Sequence, residues 1–321
     1  PVHYPTVPSL PGIGRSLDPA LFAVALLPVL ERIRTRFPFE LIDAHFGYPD
    51  GVAAVLLGRR LGCPVMLTLR GNEQVIVAHA LRRRQLSWAL RHGSVVAVSE
   101  PLARLARDLG APSVRVIANG VDPDRFSPGD RAAARRRLDL PAAAPIVLGP
   151  GAYVATKRHE RMLRAVARLR RRGFADLVYV AVGTAGGAQS CLRALRQEVD
   201  RLGIAAGVRF AVDRPPEEMP HWYRAADVVG TATKREGSPN ALIEALACGT
   251  PVVAPRVGDV PALVRDGIDG LLLDDAGDDA IAAALERALA TDWDRAGIAA
   301  RAARRSWDCV AAEVHAAMDA A

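Results

Sequence analysis

The stretch over residues 227–273, centred on TKREGSPNALIEALACGTPVVAP, constrains this chain most. An apolar strand over 228–231 leads into a short polar loop. Ser238 followed by Pro239 predicts a helix start, with a capping hydroxyl ahead of a proline at the first helical position. Alanine and leucine fill 241–247, Gly249 stands where a left-handed C-terminal cap is wanted, and Pro251 opens a strand over 252–254. The pattern is strand, loop, helix, strand. Its loop falls at the carboxyl end of a strand, which is where open α/β sheets bind ligands.

The rest of the chain alternates in the same way, which argues for parallel sheets. After a proline- and glycine-rich loop (1–15) and a helix over 18–36 with Pro28 inside it, strands are predicted over 40–44, 64–69, 94–98 and 114–117. Helices over 52–61, 77–92 and 101–109 separate them. Residues 127–144, with a short helix over 131–138, read as a linker between two domains. Beyond it, strands are expected over 145–148, 177–182, 208–212 and 270–273 in addition to the two already named. The helices there are expected over 159–172, 189–202, 217–225, 278–290, 294–304 and 309–318. The chain length suits two ordinary cores.

Two carboxylates give the central unit its chemical character. Glu236 lies in the loop, and Glu244 lies four residues after Asn240, so Asn240 and Glu244 share a helix face. A helix N-terminus suits a phosphate. The carboxylates suit hydroxyl groups instead, so a sugar and a ribose around a diphosphate would satisfy the set. The same spacing also fits a turn glutamate and a solvated helix residue.

The segment EGSPNALIEALACGTPVVA carries a Glu-x7-Glu signature and resembles the donor site of retaining family 4 glycosyltransferases of the GT-B fold. The resemblance implies two Rossmann-like α/β domains facing each other across a cleft, with an acceptor-side domain over 1–130, a linker over 131–144 and a donor domain over 145–321, whose last helix could return to the first domain. It implies that Glu236 faces the donor sugar, that backbone amides around Gly237 to Ala241 meet sugar and diphosphate, with Gly237, Ser238, Pro239, Asn240, Ala241 and Leu242 as substrate-binding positions, and that Glu244 holds the ribose. The loop GPGAYVATK is similar to the family's second donor segment, which assigns Gly151 and Lys157 to the diphosphate; Lys157 also fits a solvated helix-start lysine. Ala152 stands where the family often has Arg, Asp259 where it often has a second glycine, and Ala262 where it often has Glu.

DAHFGYPDG, VSEPLARLARDLG and IANGVDPDRFSP look like segments of the acceptor-side domain. There, His45 and Arg70 are candidate acceptor contacts, although a histidine at a strand end is more often a packing residue. The family's opening strand and glycine-rich loop have no counterpart, and there is no initiator Met, so the expectation is a truncated first domain. Family members transfer a sugar, with retention, from a nucleotide diphosphate sugar to a saccharide or lipid-linked acceptor. Neither a cofactor nor a metal is expected: the Asp-x-Asp pairs at Asp122 and Asp292 read as a proline turn and a helix start. A non-catalytic nucleotide-sugar-binding protein and a nucleotide-sugar epimerase are the alternatives.

Charge narrows the partners. Residues 1–143 hold 19 arginines against 12 acids, whereas residues 144–321 hold 23 basic against 23 acidic side chains. A basic first half suits anionic lipid headgroups or a lipid-linked acceptor, and equally a solvated arginine-rich surface. No aromatic interleaving or motif supports nucleic acid. Only Lys157 and Lys234 among the 42 basic residues are lysine, and both fall in candidate ligand loops. No apolar run approaches the ~20 residues a membrane span needs, and four scattered cysteines without metal-ligand spacing suggest reduced thiols in a cytoplasmic setting.

Overall fold

Two parallel sheets carry the chain, in the computed structural model that describes residues 2–9, 12–187 and 190–321. Pro1, Leu10 and Pro11 of the expected opening loop, and Gln189 at the expected start of a helix, lie outside the described residues. The chain divides into two compact units, Pro1–Ala118 with Val310–Ala321, and Asn119–Cys309.

The first unit holds four strands in sequential order, β1 (Ile42–His45), β2 (Val65–Leu69), β3 (Ser94–Ala97) and β4 (Val114–Val116), all parallel. Every residue of β2 is buried, as a continuous apolar run requires when both faces of a parallel sheet are covered. Helix α1 (Asp18–Arg36) precedes β1, and helices α2 (Val52–Leu61), α3 (Ala80–Leu90) and α4 (Glu100–Asp108) make the crossovers. Helix α3 is shorter than expected. A separate turn of helix, Glu73–Ile76, lies between β2 and α3, where buried Glu73 accepts the amides of Gly47 and Gly71, both at 2.8 Å.

The second unit holds six parallel strands: β5 (Ile146–Pro150), β6 (Val178–Gly183), β7 (Val208–Val212), β8 (Val228–Gly230), β9 (Val252–Pro255) and β10 (Gly270–Leu273). Their spatial order is β10-β9-β8-β5-β6-β7. The order reverses between β5 and β8, and such a switch point opens a crevice outside the carboxyl ends of the two strands. Alternation places Ile146 and Leu148 in one apolar core and Val147 in the other, so both faces of the sheet are covered. The helices are α5 (Arg131–Arg137), α6 (His159–Arg171), α7 (Leu192–Leu202), α8 (Met219–Ala225), α9 (Asn240–Ala247), α10 (Asp278–Ala290) and α11 (Arg295–Ala302). The last helix, α12 (Trp307–Met318), returns to the first unit, where Val310 and Ala317 pack with Met66, Val96 and Ile117.

Three expectations need correction. The units part between Ala118 and Asn119, and the segment read as a linker belongs to the second unit. The cause is Arg135, which is 5% exposed and donates to the carbonyls of Ala142, Ala144 and Ala225. Helix α9 starts at Asn240, with Pro239 ahead of it in extended backbone instead of at the first helical position. Ser238 does not cap it, because its hydroxyl is engaged elsewhere.

Candidate functional site at the switch point

The loop after β5 is shaped by glycine. Gly151 has φ +139°, and a Cβ on Gly183 would sit 1.9 Å from the Gly151 carbonyl oxygen, so only glycine lets the ends of β5 and β6 approach this closely. Tyr153 fastens the loop to β6, its amide donating to Thr184 at 3.0 Å and its hydroxyl to Ala181 at 2.8 Å. Beneath lies His159, 4% exposed, with Nδ1 3.0 Å from the Tyr179 hydroxyl and Nε2 3.2 Å from the Gly151 carbonyl. Burial drives its pKa down to about 4, against the pull of hydrogen bonds to Gly151 and Ala152, so the ring is neutral at pH 7.

The loop after β8 joins the loop after β5 directly. The Lys234 amide donates to the Thr156 carbonyl at 2.9 Å, and the Thr233 hydroxyl reaches the same oxygen at 3.3 Å. Across this seam, Lys157 Nζ lies 2.6 Å from Glu236 Oε1, with both side chains largely shielded. The structure therefore brings together Gly151, Lys157 and Glu236, which are widely separated in sequence. The Lys234 side chain remains exposed.

From Glu236 the chain turns into α9. The amides of Gly237, Ser238, Asn240 and Ala241 have no hydrogen-bond acceptor among the described residues. Four side chains lock this turn from behind. The Ser238 hydroxyl donates to Asp259 Oδ2 at 3.3 Å and accepts the Asn119 amide at 3.3 Å, while Asn119 Nδ2 donates to the Ser238 carbonyl (3.1 Å) and to Asn240 Oδ1 (2.7 Å). Asp259 is 5% exposed, and burial pushes its pKa up to about 6 despite the Ser238 hydrogen bond and the Arg305 charge. Its amide donates to the Gly237 carbonyl.

Further along α9, Glu244 Oε2 accepts the Tyr223 hydroxyl at 2.8 Å. Burial raises the Glu244 pKa, opposed by that hydrogen bond and by the Arg125 charge; burial followed by the Glu244 charge raises that of Tyr223 further. Leu242 is buried in the core and its amide donates to the Pro239 carbonyl at 3.0 Å, so the structure leaves neither its side chain nor its amide free for the expected ligand contact. Helix α9 closes on Gly249 at φ +75°, where the Gly249 amide bonds Leu246 and the Thr250 amide bonds Ala245.

His45 and Arg70 belong to the first unit, at the carboxyl ends of β1 and β2. The Arg70 guanidinium donates to His45 Nδ1 from Nε at 2.9 Å, and His45 Nε2 lies 3.2 Å from Asp43. The Asp-x-Asp pairs are both tied into backbone. Asp122 accepts the amides of Asp124 and Arg125, and Asp294 caps α11 through Gly297. No group of three or more His, Cys, Asp or Glu among the described residues is placed to hold a metal ion.

Asn119, His159 and Tyr223 were not singled out from sequence as site residues. Asn119 stood inside the quoted segment IANGVDPDRFSP, but its contact with Ser238 spans 119 positions. Nothing in the local pattern around His159 or Tyr223 distinguishes a positioning residue from core.

The family sequence model described as Glycosyl transferases group 1 matches residues 130–305, and that of Glycosyltransferase Family 4 matches residues 2–125. A D-inositol 3-phosphate glycosyltransferase from Stackebrandtia nassauensis is 33% identical over 95% of this chain and 74% of its own length. One from Saccharomonospora viridis is 38% identical over 73% of this chain; the match spans 58% of that relative. Among solved structures, Anabaena HepE in complex with UDP aligns over 95% of this chain and 84% of its own with a TM-score of 0.80 at 21% identity. Sucrose-phosphate synthase from Thermosynechococcus elongatus aligns over 95% and 78% with 0.78 at 23%. These likenesses establish the fold, two α/β units on parallel sheets as in GT-B glycosyltransferases.

Proposed function

We propose, on the premise that this chain belongs to the Glycosyl transferases group 1 family, that its second unit binds a nucleotide diphosphate sugar and that the enzyme transfers the sugar with retention and without a metal. The observation that carries this reading is the Lys157–Glu236 pair at the switch point, next to four amides with no acceptor among the described residues. Lys157 and the start of α9 would neutralise the diphosphate, Glu236 would accept hydroxyls of the sugar, and Glu244 those of the ribose. In the pair, each charge occupies the other. A bound diphosphate would take the ammonium and leave Glu236 to the sugar.

Departure of the nucleoside diphosphate gathers negative charge on phosphate oxygens, and preorganised donors stabilise that charge most where it develops. Lys157 and the amides of Gly237, Ser238, Asn240 and Ala241 are such donors, and the lock behind them means little reorganisation is needed. Retention would follow from same-face substitution assisted by the leaving group, so no general base is assigned. The acceptor would be a saccharide or a lipid-linked molecule. The relatives named above act, by their names, on D-inositol 3-phosphate, so phosphorylated polyols belong in the first acceptor panel.

The test is calorimetric binding of UDP, GDP and ADP sugars, followed by turnover with and without acceptors. Lys157→Ala is expected to weaken donor binding and lower kcat, each by roughly tenfold or more, and Glu244→Ala to weaken nucleotide binding about tenfold. Unchanged affinity in both variants would sink the reading. Donor binding without turnover under any acceptor would favour a non-catalytic binding protein, and an epimerised donor would favour an epimerase.

A further inference from the structure

The two strands that end at the donor loops begin at a second feature. Pro145 precedes β5 and Asp227 precedes β8, and both line a cavity of about 480 Å3 whose other walls include Arg131, Arg135, Phe174 and Leu289. Three guanidinium groups meet at Asp227. Arg131 Nη1 lies 2.7 Å from Oδ1, Arg135 Nη2 lies 2.7 Å from Oδ2, and Arg295 Nη2 donates to the Asp227 carbonyl at 2.7 Å. The carboxylate itself meets two of them, Arg131 and Arg135, and its Oδ2 also accepts the Ile146 amide.

The excess positive charge is held in place by the fold. Arg135 is buried, with carbonyl acceptors on Ala142, Ala144 and Ala225. Burial lowers the proton affinity of Arg295, the Arg131 charge lowers it further, and the Asp227 charge opposes both ahead of the smaller Arg135 effect. Arg131 and Arg295 each open a helix, α5 and α11, where the macrodipole disfavours a cation. Asp130 and Asp294, just before them, cap the two helices through the amides of Ala132, Ala133 and Gly297. Arg131 is the member with capacity to spare: its side chain is 49% exposed, and beyond the Asp227 contact its N–H groups have no acceptor among the described residues.

We propose that this cavity is a binding site for a small organic phosphate monoester, gripped by Arg131 over the fixed charge of Arg135 and Arg295. The cavity lining carries Arg131 and Arg135 against Asp227, a surplus of one positive charge, and the guanidinium fork suits phosphate oxygens. Phe174, Leu289 and Pro145 form an apolar wall for the carbon skeleton, which inorganic phosphate could not use. The site is distinct from the donor crevice because it lies at the amino ends of β5 and β8, about 16 Å along a five-residue strand from the carboxyl ends. It stands on the geometry of the second unit alone and does not depend on the donor assignment.

Calorimetric titration of the full chain with phenyl phosphate and with inorganic phosphate, in sulfate-free buffer, tests it. Phenyl phosphate is expected to bind the wild type more tightly than inorganic phosphate, to bind Arg131→Ala about tenfold or more weakly, and to bind Lys157→Ala within about twofold of wild type. Arg131→Lys, which keeps the charge but not the fork, should recover part of the affinity. A thermal melt without ligand checks that the variants are folded, which the exposure of Arg131 favours. Equal binding to wild type and Arg131→Ala overturns the proposal. So does loss of binding in Lys157→Ala, inorganic phosphate binding as tightly as phenyl phosphate, or no binding to the wild type at millimolar ligand.

Discussion

Asp259, behind the donor turn, and His159, beneath the loop after β5, respond to pH in opposite senses. The Asp259 pKa is raised to about 6 by burial, so its contribution to stability is fully present below the ordinary aspartate value and is lost as pH rises through about 6. The His159 pKa is lowered to about 4, so its contribution is present above the ordinary histidine value and is lost as pH falls through about 4. Each effect amounts to no more than roughly 3 kcal/mol, and the Asp259 effect is smaller once solvent screening is counted. Between pH 4 and 6 the two slopes oppose each other, which flattens the wild-type profile. In Asp259→Asn, which keeps an oxygen for the Ser238 hydroxyl, the histidine slope should stand alone: Tm is expected to rise steadily from pH 4 to 6.5 and to exceed wild type at pH 8. A profile that stays parallel to wild type would show that Asp259 is already ionised without cost. The same substitution removes a negative charge behind the donor turn, so nucleotide affinity at pH 8 should rise by a fewfold.

Helix α9 shows what a local signal can and cannot specify. Its end was legible because Gly249 satisfies a requirement of its own backbone: φ is +75°, and a Cβ there would lie 2.7 Å from the Arg295 carbonyl. Gly249→Ala is accordingly expected to cost about 2 kcal/mol or more in chemical denaturation. Its start is not legible locally, because Ser238 has the pattern of a cap while Asn119 and Asp259, both distant in sequence, claim its hydroxyl. The strands were legible for the same reason as the helix end, since continuous apolar runs such as β2 and alternating cores such as β5 follow from burial of a parallel sheet. The pairing of Lys157 with Glu236 was not legible, because it depends on the strand order placing β5 beside β8. Asn119→Ala removes two side-chain bonds from the turn and should lower stability by about 1–2 kcal/mol. Donor affinity should fall as well if the lock preorganises the amides, and amide exchange over 237–241 should accelerate; unchanged exchange would mean that the turn holds itself.

At the scale of the molecule, the division into units alters how charge is read. The first unit carries 14 basic against 10 acidic residues and the second 28 against 25, so the surplus is shared instead of residing in one half. The contrast that suggested an anionic surface for the first unit shrinks accordingly. The chain also closes on itself: after leaving the first unit at Ala118, it returns through α12 to cover one face of the first sheet. Val310, 8% exposed, and Ala317, 5% exposed, complete the small core with Met66, Val96 and Ile117, which a sheet covered by its crossover helices on one side alone would leave open. An aspartate at position 310 would bury a charge with no partner on that face. Val310→Asp is therefore expected to destabilise the first unit by about 2–4 kcal/mol, while the second unit, whose cores contain none of these five residues, should unfold near its wild-type temperature. Scanning calorimetry would then show one transition moving down by several degrees and a second staying in place. If both transitions fall together, α12 serves the whole chain and is not the closing element of the first sheet alone.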